Sequence, residues 1–339
     1  MSKVDEVRPM LLTRRRGQPD SGASKPSRNW WLFAIKLLAS AGLIAWILLG
    51  ANLSEVGAAL RDVDLRWIGL AMLLQCFGAA IISRRWQGLL AVQDVRPPWL
   101  YLFRSTIVSS FFRQFLPSII GGDVIRSHDA WRAGASLSLA LMSLLLDRLL
   151  GLLALALLAL LAMLSVSEVT ERLPALQLWL ICAFAGLAAI LSLVVLPRRR
   201  TGGGAARLPG FLPDKLRRKL GDIGKAMTIY RGKSAALWRG LALSLLLQVN
   251  VVTFYWALSQ ALGLPLSYGS FFAIAPIAIF VMMIPISING IGVREAIFLF
   301  LLAQWGIGSA EALALAWLEY GTFLAFGLLG GIVYALRRY

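Results

Sequence analysis

Apolar residues run through this chain in blocks too long for strands and too continuous for the one-sided stripe of a soluble helix. They cover 30–51, 67–82, 137–166, 176–196, 237–262, 270–286 and 310–336, with a shorter block at 296–305. A helix needs about 20 apolar residues to cross a bilayer core. The pattern therefore predicts an all-α, polytopic membrane bundle of about eight spans, with 296–305 as a half-helix. The block at 67–82 ends on Arg84 and Arg85, which predicts an anchor at an interface. Residues 52–66 carry Glu55, Arg61, Asp62, Asp64 and Arg66 and read as a short external loop. Residues 1–29 are polar and rich in Pro, Ser and Gly, predicting a disordered basic tail ahead of a membrane domain over 30–338. The block at 30–51 is of span length without a convincing cleavage site after it, so it is expected to stay as the first helix.

Two interruptions do not behave as ordinary loops. Residues 100–120 are apolar enough to enter a membrane, yet they carry Arg104, Arg113 and Pro117 and run into Gly121, Gly122, Asp123 and Arg126. Backbone broken by Pro and paired Gly is tolerated at membrane depth only where protein buries it or a polar cavity runs beside it. Residues 100–126 therefore predict a re-entrant hairpin. The same frame returns 168 residues later, with Pro117, Gly122 and Arg126 matched by Pro285, Gly290 and Arg294. Gly121 is matched by Asn289, the other residue that tolerates left-handed backbone. Paired breaks in two halves point to a transporter's binding site and to an inverted repeat. The second hairpin would cover 270–305. Charge counting leaves the side on which it opens undecided, because the chain ends on the same side in either case.

Composition sharpens this picture. Hydrophobic side chains make up 58% of the 339 residues, and the mean hydropathy is +0.73, which excludes a soluble globular domain. The net charge of +17 has a membrane explanation. Seven Lys and Arg precede residue 30, seven lie between 83 and 134, and eleven between 198 and 233, whereas the opposite loops hold only Arg61, Arg66 and Arg172. That asymmetry predicts cytoplasmic termini and anionic lipid headgroups as partners, with nucleic acid excluded. Within the basic loop at 197–236, Leu212, Leu216, Leu220 and Ile223 recur at helical spacing and predict an amphipathic helix on the headgroup layer. Cys76 and Cys182 sit in apolar blocks, and His128 is the single histidine. No metal site, cofactor or His-based catalysis is expected.

Charges inside the apolar blocks are the candidate chemistry. Asp147 and Arg148 lie about ten residues into one block, Glu319 about ten into the last, and Glu295 follows Arg294. An unpaired ion at that depth costs a few kcal/mol, so these groups should pair and face a protein interior or a wet groove. Buried salt bridges that fix helix register would satisfy the same requirement. On the functional reading, Arg113, Arg126, Arg148 and Arg294 present guanidinium forks to a phosphate, and Asp123, Asp147, Glu295 and Glu319 hold them in place. With Pro117, Gly121, Gly122, Asn289 and Gly290 at the breaks, they form a groove for a lipid headgroup. His128 and Asp129 read as a cap and interface pair.

The string from Phe115 to Arg126, followed by Leu146, Asp147, Arg148, Leu149, Leu150 and Gly151, resembles the transmembrane family of lysylphosphatidylglycerol synthases. Asn289, Gly290, Ile291, Gly292, Val293, Arg294 and Glu295 strengthen that resemblance, which covers nearly all of the chain from about residue 31 to residue 338. It implies a flippase-like module moving phospholipids or polyprenyl-linked (glyco)lipids between leaflets of a prokaryotic plasma (inner) membrane. The chain ends directly after its last span, so the resemblance is to stand-alone members without the aminoacyltransferase domain, and lipid aminoacylation is not expected. A lipid-biosynthetic enzyme is a possible partner. The alternative is a membrane enzyme or enzyme subunit acting on a lipid-linked substrate, with Asp123 or Asp147 as base.

Overall fold

The structure, a computed structural model, describes residues 53–115, 121–165, 181–182, 184–189, 229–230, 233–284, 287 and 289–337. The tail at 1–29, the first expected span, Pro117, Pro285, most of the block at 176–196 and the amphipathic segment at 212–223 lie outside them. The described chain is helical, without strands. Its helices are α1 (Leu53–Arg61), α2 (Leu65–Ala91), α3 (Trp99–Phe115), α4 (Gly121–Arg132), α5 (Leu137–Ser165), α6 (Ser234–Ala261), α7 (Phe271–Met282), α8 (Val293–Ala303) and α9 (Ser309–Ala335). Among the described residues, α2, α5, α6 and α9 are the four long and apolar enough to cross a membrane.

The order long, short, short, long occurs twice, in α2–α5 and in α6–α9. At 1.5 Å per residue, the 12-residue α7 and 11-residue α8 reach only about 18 Å, well short of a bilayer core of about 30 Å. The expected blocks at 270–286 and 296–305 are thus two arms of one hairpin. Its tip needs left-handed backbone, supplied by Asn289 (φ 52°), Gly290 (φ 75°) and Gly292 (φ 85°). The arms of the first hairpin close tightly, because a Cβ on Gly122 would sit 2.7 Å from the Ser109 carbonyl oxygen.

The direction of each half follows from how α2 packs on α6. The Asp64 amide donates to the Ala261 carbonyl at 3.0 Å, Trp67 meets Trp256 edge-to-face at 5.2 Å, and Asn250 Nδ2 donates to the Leu74 carbonyl at 3.1 Å. Arg85 then reaches Ser244, and Leu89 shares a cluster with Leu237. The start of one helix lies against the end of the other, so the equivalent long helices run antiparallel. This is the inverted relation that the charges left open. Other contacts follow the same exchange: α3 lies on α9 as α7 lies on α5, and α2 touches α9 as α6 touches α5. Apolar filling is concentrated around Phe271, Ile274, Phe298 and Leu258, with Leu158 and Ala159 of α5 included.

Two expectations need correction. Residues 52–66 are not a plain loop: α1 forms there and tucks Val56 against Ala310, Leu313 and Ala314. Arg84 and Arg85 do not end their helix either. The helix of 27 residues continues past them, because Trp86, Leu89 and Leu90 extend its buried face. Arg85 itself is inside the protein.

Candidate functional site

The two repeated arginines each stand early in the returning arm of a hairpin, on α4 and α8, and each meets an acid on the long helix that follows. In the first half, Asp147 of α5 is 3% exposed. Its Oδ2 accepts from Arg126 Nη1 and Nη2 at 3.2 and 3.3 Å. Its Oδ1 accepts from Arg85 Nε of α2 at 2.6 Å, and Arg85 Nη1 donates to Ser244 Oγ of α6 at 2.7 Å. The Arg126 guanidinium also lies 4.4 Å from the Trp86 ring centre, a favourable cation–π distance. One carboxylate thus ties α2, α4 and α5 together, and Arg85 carries the tie on to α6.

In the second half, Glu319 of α9 is 1% exposed. Its Oε2 lies 3.3 Å from Arg294 Nε, and its Oε1 accepts from the Tyr255 hydroxyl of α6 at 2.7 Å. Arg294 stands 5.0 Å from the Tyr320 ring centre. The plan is the first cluster's, with a phenol of α6 where the first half uses an arginine of α2. Removing one partner of such a buried pair strands a charge and costs about 3–5 kcal/mol.

The hairpins meet at their tips, where Asn289 Nδ2 donates to the Gln114 carbonyl at 2.7 Å and Arg294 Nη2 approaches the Asn289 carbonyl at 3.5 Å. Beside the first tip, Arg148 Nη2 and Nε donate to Asp123 Oδ2 at 2.6 and 3.0 Å. This pair opens to the outside of the bundle: the Arg148 side chain is 42% exposed, next to exposed Val124, Leu141 and Leu145. Arg113 is exposed as well. It lies within electrostatic reach of Asp123 and Arg148, and none of the described acids pairs with it. The result is a polar flank set in an apolar exposed surface.

The expected residues therefore divide into groups. Arg126 with Asp147, Arg294 with Glu319, and Arg148 with Asp123 come together as pairs. Gly121 and Gly122 open α4, while Asn289 and Gly290 shape the second tip. Glu295 does not hold an arginine; its Oε2 accepts from the Gly292 amide at 2.6 Å and caps α8. His128 Nδ1 lies 3.8 Å from Asp129. Arg85, Trp86, Ser244, Tyr255 and Tyr320 were not anticipated. The apolar pattern continuing beyond Arg85 is the signal that could have found it, and Gly292-x-x-Glu295 already has the spacing of a cap.

A family model described as the lysylphosphatidylglycerol synthase TM region matches residues 33–331. No curated protein matches the sequence. The chain belongs to that family, and its membrane-crossing helices make it a multi-pass membrane protein.

Proposed function

We propose, starting from that membership, that the chain is a lipid flippase, carrying a phospholipid or polyprenyl-linked (glyco)lipid between leaflets of a prokaryotic plasma membrane. The observation that carries the reading is the meeting of two oppositely directed hairpins, each with a buried arginine–acid pair behind its tip. Inverted repeats with broken helices at the midplane are the architecture of alternating access. With both termini cytoplasmic, as the basic loops favour, the first hairpin opens to the cytoplasm and the second to the outside. An anionic headgroup would slide along Arg113 and Arg148 and pass the tips, its tails remaining in lipid. Asp123, Asp147 and Glu319 hold the arginines in place, leaving a groove that attracts phosphate without trapping it.

Purified protein in proteoliposomes tests this by the rate at which labelled lipid changes leaflet. Arg126→Ala and Arg294→Ala should each abolish translocation in protein that still folds, as checked by its helical circular dichroism. Wild-type rates in either variant would show that the arginine only holds the fold. A covalently altered lipid would move the reading to an enzyme.

A further inference from the structure

A cavity of about 1150 Å³ opens where the start of α3, the end of α4 and the end of α9 converge. Arg96, Arg104, Arg132 and Arg337 stand in its wall, against the single acid Asp129. That acid is already engaged: it is 2% exposed and pairs with Arg337 Nη1 at 2.9 Å. Its backbone carbonyl accepts from the Tyr101 hydroxyl at 3.0 Å. The remaining terminal nitrogen of Arg337, Nη2, is buried without a hydrogen-bond partner among the described residues. A buried donor of this kind calls for an acceptor. Four cations against one neutralised anion make the cavity an anion site.

We propose that this cavity holds the phosphate of an anionic phospholipid, at a site separate from the two buried pairs. Guanidinium forks match phosphate oxygens in geometry and charge. The rim favours a lipid over a soluble phosphate ester, because Leu100 and Leu336 are 48% and 76% exposed beside the arginines and offer a surface for acyl chains. Arg126, Asp129 and Arg132 follow one another along α4 at three-residue spacing, the first two buried and Arg132 exposed. Arg132 therefore stands about 9 Å along the helix axis from Arg126. The cavity lies two turns out from the first buried pair, on the helix that carries it. Its service as a loading site rests on the flippase reading; lipid binding there does not.

The test is phospholipid retention by the full-length protein, read by native mass spectrometry after titration with phosphatidylglycerol, phosphatidylcholine or free glycerol phosphate. The Arg104→Gln, Arg132→Gln double variant removes two exposed forks from the cavity wall. It should bind phosphatidylglycerol at least about tenfold more weakly while keeping the helical circular dichroism of the folded protein. The Arg104→Lys, Arg132→Lys variant should recover part of the binding. Phosphatidylglycerol retention at the wild-type level in the double Gln variant overturns the proposal, as does equal retention of phosphatidylcholine. Displacement of the lipid by equimolar glycerol phosphate would make the ligand a soluble phosphate and overturn the lipid assignment. Failure of the flippase reading is separately visible, since an inactive wild-type protein would still show the difference in retention.

Discussion

The two halves share one plan and differ in what they do with charge. Behind the first tip, one carboxylate faces two arginines; behind the second, one carboxylate faces one arginine and a phenol. The flanks differ further. Arg113 and Asp123 have Val281 and Ile291 at the hairpins' 168-residue offset, and Arg148 beside Asp147 corresponds to Tyr320 beside Glu319, so the charges of the first hairpin's flank have no charged equivalent on the second. Repetition thus conserves the buried pair, and the surface around it diverges. On the proposed flippase reading, a position kept in both halves is structural support for a gate, and one present in a single half is selection of the cargo or its side of approach.

The strongest way to break this comparison is to remove the acids. Asp147→Asn strands two buried cations and should cost about 3–5 kcal/mol or prevent folding, whereas Glu319→Gln strands one and should cost less. Thermal melting in detergent compares them, and equal losses would mean that Arg85 is not held by Asp147 in solution. Next in size is the one-sided flank: Arg148→Gln should slow lipid translocation about tenfold, the loss of one charge-assisted contact. Its melting temperature should barely move, because a pair this exposed contributes at most about 1 kcal/mol. An unchanged rate would leave the flank without a role in transport. The smallest effect belongs to the tip, where Asn289→Ala loses the bond to Gln114 and a side chain suited to positive φ. A destabilisation of about 1–2 kcal/mol is expected, and denaturant titration without any shift would show that the tips do not touch in solution.

Much of this was legible in the chain because membrane depth makes polarity conspicuous. Arg126 and Arg294 stand in a repeated frame, and Asp147 and Glu319 are acids in otherwise apolar blocks, so their pairing follows from the cost of isolation. Arg85 was hidden by a rule that is usually right, since paired arginines at the end of an apolar block normally mark an interface. Tyr255 was hidden by its neighbours, because an aromatic among aromatics carries no sign that its hydroxyl is needed. Glu295 beside Arg294 suggested an ion pair, but a helix N-terminus draws the carboxylate to its free amides. The opposed direction of the halves could not be read from loop charges at all and required the packing of α2 against α6.

The cross-packing of the hairpins has a mechanical consequence. A Cβ on Gly330 would lie 2.3 Å from the Ile107 carbonyl oxygen, so α9 and α3 touch backbone to backbone. The first hairpin is thus mounted on a helix of the second half, and α7 of the second hairpin rests on α5 of the first. Each half thus carries a hairpin of the other as a passenger. On the proposed flippase reading, α2 against α6 would serve as the shared fulcrum, tilting one half would shift both hairpins in opposite senses like the two arms of a rocker, and a leak with both arms lifted at once would require tearing one of them from its mount.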